Sequence, residues 1–327
     1  MAGNSTSLTF HEYIALHRDR LREMDEAAAS DGAENTFDIS FNSCVMCQGQ
    51  GCHREVPKDD EYDSDWHEMW YRTIQSARYI EWKSLRHDTW VVLILQAKAM
   101  GPLRRARRVL NGQTSEEGTM TWESARASNG ERLMSDLPFM LDDFHSYWRT
   151  ALTTWSPDEL ANFAGLLSRL ICVGADHRLA VCVLLIFREA LETPFPSGQD
   201  EGGRTAKHFL PAMKPFMVFT RVHIFRLVVE SYNDFPEHFE ESTRPGELAQ
   251  AEGLQQGGFY PARWMFWLKA LDGLTETAHA KLDEVEIDLE TPTDIRVWHL
   301  NVMKNLHEDW AQPFGGTRQS FGGVDEI

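Results

Sequence analysis

Residues 259–274 read FYPARWMFWLKALDGL. Pro261 stands where a helix can begin, because the first turn has no use for the N–H that proline lacks. Trp264, Trp267, Leu268, Leu271 and Leu274 then recur at spacings of three and four, drawing one apolar stripe down a helix. Two indoles on one stripe bring a large apolar mass and two N–H donors. The stripe predicts that Trp264 and Trp267 are mainly core. Arg263 lies one residue off it and is expected to face a pocket or the surface.

The same periodicity extends along the chain. Thr9 and Glu12 form a capping box ahead of Phe10, Tyr13, Ile14, His17, Leu21 and Met24. Asp65 and Glu68 open a second helix with Trp66, Met69, Trp70, Thr73, Ala77 and Ile80 on its inner side. Trp90–Met100 reads as a short apolar helix stopped by Gly101-Pro102, and Leu137–Thr153 as another. Ser156, Pro157 and Glu159 give the clearest helix start, with Leu160, Phe163, Leu167, Leu170 and Ile171 as its face and Gly174 as its end. Asp176 caps His177–Glu192, which is apolar nearly all round and therefore central. Pro215–Tyr232 and a segment opening at Thr291-Pro292 complete the set.

No strand–helix alternation and no repeat at solenoid periods is visible. The fold class is therefore all-α, an irregular bundle of about eight to ten helices. Residues 1–64 read as one N-terminal helix plus a polar, Cys-containing linker, 65–310 as a single helical domain, and 311–327 as a disordered tail. Residues 111–121 read as loop, and the cluster Arg104, Arg105, Arg107, Arg108 reads as a polar helix end, with anion or acidic-partner binding as the alternative.

Composition narrows the function classes. The net charge is −18, which repels phosphate backbones and argues against nucleic acid. The longest apolar run, Leu179–Phe187, is nine residues, far short of the roughly 18 needed to span a bilayer, so no membrane partner is expected. No secretory leader is visible, and five cysteines suit a reducing compartment, cytoplasmic with nuclear as the alternative.

Ser135-Asp136-Leu137-Pro138 ahead of Tyr147-Trp148, then Pro157–Ala164 with Leu167 and Leu170, then Phe187–Glu192, then Arg263–Trp267, occur in that order. Together they resemble a fungal family of helical proteins known as domain of unknown function 3632, and Asp88–Leu95 looks like that family's earlier helix. The resemblance implies an uncharacterised helical protein and transfers no catalytic residue.

Several constellations could carry chemistry. Cys44, Cys47, Cys52 and His53 form a C-x2-C-x4-C-H pattern that could hold zinc, with His67 as a substitute ligand. No second knuckle accompanies it, so the expectation is no cofactor, and a Cys-bearing loop. Cys172 and Cys182 are expected as packed thiols. Arg188 and Glu189 sit in an apolar helix: Glu189 is either half of a buried pair with Arg263 or Arg169, or a pocket acid. There is no dinucleotide fingerprint, P-loop, nucleophile elbow or HExxH.

Of two functions the sequence favours the first, with the second as the alternative. One is a binding or interaction protein with an unknown protein partner, marked by an exposed Trp/Phe patch. The other is a cofactor-independent enzyme or small-molecule binder of fungal secondary metabolism, taking an apolar small molecule in a cavity lined by Arg188, Glu189, Tyr260, Arg263, Trp264 and Trp267. A place in a biosynthetic gene cluster would favour the second.

Overall fold

A computed structural model describes residues 9–29, 61–110, 118–194 and 206–280. It divides into two units, Met1–Met265 and Phe266–Ile327. The fold is all-α. Helices α1 (Phe10–Leu16) and α2 (Arg18–Ala27) follow the Thr9–Glu12 capping box, in which Thr9 N donates to Glu12 Oε2 at 2.8 Å. The single predicted stripe is thus two helices that part at His17.

Helix α3 (Glu61–Tyr79) buries Trp66, Met69, Trp70, Thr73 and Ala77, and Ile80 beyond its end, as its periodicity predicts. Helix α4 (Arg86–Ala99) ends ahead of Gly101, whose φ of +77° is open to glycine at little cost. Helix α5 (Met140–Thr154) starts three residues later than expected. Leu137–Phe139 cannot be helical, because Leu137 and Phe139 sit at φ 53° and 61°.

Helix α6 (Pro157–Cys172) is the centre of the first unit. Ser156 caps it: its N–H donates to Glu159 Oε2 at 2.8 Å and its Oγ accepts from Glu159 N. Its apolar face is sealed by α3, α4 and above all α8 (Ala206–Phe219). Gly165 lets Trp82 approach so closely that a Cβ would lie 2.8 Å from the Trp82 Cβ.

Asp176 caps a continuous run, first a 3-10 turn (His177–Ala180), then α7 (Val181–Phe187), every residue of which is buried, then a π-turn (Arg188–Glu192). Helix α8 carries Pro211 and Pro215 inside it, so Pro215 does not start a helix. The break falls at Thr220, ahead of α9 (Arg221–Val229). Two short helices, α10 (Glu240–Thr243) and α11 (Glu247–Ala251), lead to α12 (Pro261–Ala280). Pro261 starts α12, as the sequence predicts. In the second unit its described side chains include Trp267, Leu268 and Leu271, all buried.

One element departs from the sequence reading. Arg104–Leu110 is a strand, β1, paired antiparallel with β2 (Gly118–Ser124) in the register Arg104↔Ser124 to Leu110↔Gly118. The arginine cluster is therefore a strand and not a helix end, and 118–121 is not loop. The hairpin opens on the arginine-rich stretch Arg104–Leu110, which shows no apolar alternation of period two. Its signal lay in the β-prone run Thr119, Met120, Thr121, Trp122.

Candidate functional site

Among the described residues of the first unit, three buried polar assemblies and one open cleft stand out. The tightest assembly is built on Arg263. The guanidinium is fully buried: Nε donates to Glu192 Oε1 at 2.7 Å and Nη2 to Glu192 Oε2 at 3.0 Å. The carbonyls of Thr243 and Gly258 accept from Nη1 at 2.7 and 3.0 Å, and that of Arg244 from Nη2 at 3.2 Å. Gly246 N donates to Glu192 Oε2, and a Cβ at Gly246 would collide with the Glu192 backbone. This bidentate pair locks the end of the π-turn to the 243–258 loops.

Arg263 therefore faces neither pocket nor surface, contrary to its expected position. The helix start tilts it inward, where a carboxylate and three carbonyls satisfy it. Its partner is Glu192, three residues beyond the expected Glu189. Glu189 is half-buried and pairs with Arg188 at 3.2 Å. Arg169 pairs with Asp88 at 2.7 Å. Arg188 Nη1 donates to the Glu241 carbonyl at 2.6 Å, so Arg188 and Arg263 both hold the segment around α10. Tyr260 is buried with its hydroxyl unpaired among the described residues, and burial raises its pKa. Trp264 and Trp267 are buried too.

In the second assembly His67 Nδ1 lies 2.8 and 3.0 Å from the carboxyl oxygens of Asp143. Both side chains are sealed from solvent, and the rings of Phe139 and Tyr13 lie 4.3 and 5.4 Å from the imidazole. Burial pushes Asp143 up to about 7, against the pull of His67. The third is His145, whose Nε2 lies 2.8 Å from Ser242 Oγ. Burial pushes this imidazole down to about 3, so it is neutral. An acid–histidine pair and a serine–histidine pair are catalytic vocabulary, but no reactant reaches either through the closed core. They join elements: α3 to α5, and α5 to α10.

The open cleft encloses about 780 Å³. One wall is the end of α6, where Gly174 (φ +70°) turns the chain and Ala175 N donates to the Leu170 carbonyl at 3.0 Å. Asp176 accepts from Arg178 N at 2.9 Å and pairs with its Nη2 at 2.6 Å. Lys98, from the last turn of α4, donates to the Ala175 carbonyl at 2.7 Å. The facing wall is the turn 131–139. Arg132 and Asp136 form a bidentate pair there, with Nη2 to Oδ1 at 2.7 Å, which holds Asp136 down near 2. Phe235 and Pro236 supply the apolar side.

That turn is strained. Met134, Leu137 and Phe139 all have positive φ, 72°, 53° and 61°, at a cost of order 1 kcal/mol or more each. Trp70 Nε1 holds the Pro138 carbonyl at 2.7 Å, and Glu131 Oε2 accepts from Phe139 N at 3.2 Å and from Asn129 Nδ2 at 2.8 Å. Burial raises Glu131 above the usual carboxylate range.

The pocket residues proposed from sequence do not line this cleft. Its own residues do not read as a site in the sequence, though Gly174 reads as a helix end, Asp176 as a cap, His177 as a helix start and Ser135–Pro138 as a family signature. Lys98, Glu131 and Arg178 carry no signal in one dimension, because three separate segments bring them together. Of the cysteines, Cys182 is buried and burial raises its pKa, but Cys172 is exposed. Cys172 follows Ile171 by one residue, about 100° round the helix from the inner face. Cys44, Cys47, Cys52 and His53 lie outside the described residues, as do the helix expected from Thr291 and the 311–327 tail. Among the described residues no three His, Cys, Asp or Glu side chains group to hold a metal. No described helix is long and apolar enough to cross a membrane.

The chain is similar to a Penicillium oxalicum protein named "Oxopyrrolidines biosynthesis cluster protein G", with 27% identity over 287 residues, covering 83% of this chain and 77% of the relative. No solved structure matches it significantly. The family profile described as "Protein of unknown function (DUF3632)" matches residues 70–271, from Trp70 under the strained turn through α12 as far as Leu271, and it is to this family that the chain belongs.

Proposed function

We propose that this protein acts in fungal secondary metabolism, inside the cell, by holding a small polar molecule in the cleft between the end of α6 and the 131–139 turn. The observation that carries the reading is the cleft itself: about 780 Å³ of open space lined by paired and unpaired charges and by Phe235 and Pro236. Ligand sites combine such concavity with a few placed polar groups. Backbone strain beside it is a common companion of function. A relative named for a biosynthesis cluster supports the metabolic setting. The reading invokes no metal or cofactor.

The protein-interaction reading is the weaker one. Of the exposed large apolar side chains among the described residues, Trp122 on β2 is the one tryptophan and there is no phenylalanine, so the expected aromatic patch is missing from them.

Native mass spectrometry after incubation with extracts of the fungus tests the proposal. Wild type should retain a small-molecule adduct, and Ser135→Trp, which fills the cleft, should lose it. Retention by both proteins, or by neither, overturns the proposal.

A further inference from the structure

The cleft carries more charged groups than its internal pairs consume. Arg132 is spent on Asp136 and Arg178 on Asp176, each through a bidentate contact. Lys98 is different. Its ammonium has three N–H donors, one of which goes to the Ala175 carbonyl, and no carboxylate pairs with it among the described residues. Glu131 is its counterpart. Oε2 takes both the Phe139 and Asn129 donors, which leaves Oε1 without a partner among the described residues. Lys98, a cation with no carboxylate partner among the described residues, and the free Oε1 of Glu131, a carboxyl also attracted by Arg178, therefore line the same open space, with Asp234 as a further carboxylate and the apolar faces of Phe235 and Pro236 beside them.

We propose that the cleft binds a zwitterion, a free amino acid or short peptide with an apolar side chain, whose carboxylate takes the spare donors of Lys98 and whose ammonium is accepted by Glu131 Oε1. This rests on the cleft being a ligand site, and it names the ligand's chemistry. Two opposite charges at fixed places select a molecule carrying both, since losing either leaves one protein charge facing an empty position. Burial lifts the Glu131 carboxyl in the empty protein, the condition expected of a carboxylate awaiting a cation. The anchored Oε2 fixes the direction of the free oxygen, so little side-chain freedom is lost on binding.

Isothermal titration of the full chain tests this with L-phenylalanine, L-leucine and the dipeptide phenylalanyl-leucine, each beside its N-acetyl and its carboxamide form. At least one free zwitterion should bind, and capping either end should weaken it by about tenfold or more, as for one lost charge-assisted hydrogen bond. The amino-acid and dipeptide arms separate the two sources. Lys98→Met should erase discrimination against the amide, and Glu131→Gln, which keeps an oxygen for Phe139 N, should erase discrimination against the N-acetyl form. If either variant fails to fold, the capped ligands on wild type still decide. Equal binding of capped and free ligands overturns the proposal. If no zwitterion binds while extract adducts remain sensitive to Ser135→Trp, the zwitterion is wrong and the ligand cleft stands. If neither binds, both fall.

Discussion

Arg263 and His145 show how a single side chain in this protein is committed by its surroundings. Removing the Arg263 guanidinium leaves a buried Glu192 carboxylate and three carbonyls unsatisfied. Arg263→Ala should therefore cost roughly 3–5 kcal/mol, comparable to the roughly 3–5 kcal/mol of truncating Trp264 to Ala, and urea unfolding midpoints compare the two directly. Arg263→Lys should recover little, since a point charge cannot make the bidentate contact. His145 and His87 are pushed down to about 3 and about 4 by burial. Each is neutral when folded and titrates near 6.5 when unfolded, so below 6.5 the unfolded state binds more protons. Their contribution is complete above that value and is lost as pH falls toward 4. Asp143, lifted to about 7, works in the opposite sense over the same range, so the expected signature is a difference: between pH 7 and pH 5 the midpoint of His145→Phe should fall less, or rise more, than that of wild type. An unchanged slope in the variant would remove His145 from the explanation.

Elements are legible in this sequence when one face is buried and capped. The Ser156 box, Pro157 and the Leu160-to-Ile171 face specify α6 from local chemistry alone. The hairpin escaped because its arginine-rich first strand carries no apolar alternation, and the delayed start of α5 escaped because the positive φ values of Leu137 and Phe139 are held by distant Trp70 and by Glu131. Gly165→Ala should destabilise the protein by about 1–3 kcal/mol, since the new methyl meets the Trp82 backbone as well as its Cβ. Thermal denaturation checks this. Trp122→Ser, on an exposed stretch of β2, should change stability by less than about 0.5 kcal/mol.

The molecule as a whole is dominated by its net charge of −18. Such a chain repels itself when compact, and salt screens that repulsion. The melting temperature should rise by a few degrees from low to physiological ionic strength, by calorimetry. A flat or falling dependence would show that paired charges such as Arg132–Asp136 outweigh the global repulsion.

The sequence by itself determined the all-α class, most helix faces and the family, because periodicity, caps and ordered motifs are local along the chain. Only the tertiary structure decided that Glu192 rather than Glu189 meets Arg263, and that Lys98, Glu131 and Arg178 share one cleft. Those choices depend on which backbones come within hydrogen-bonding distance, and residues as far apart in the chain as 98 and 235 carry no mutual signal until α4, α6 and the 131–139 turn have packed.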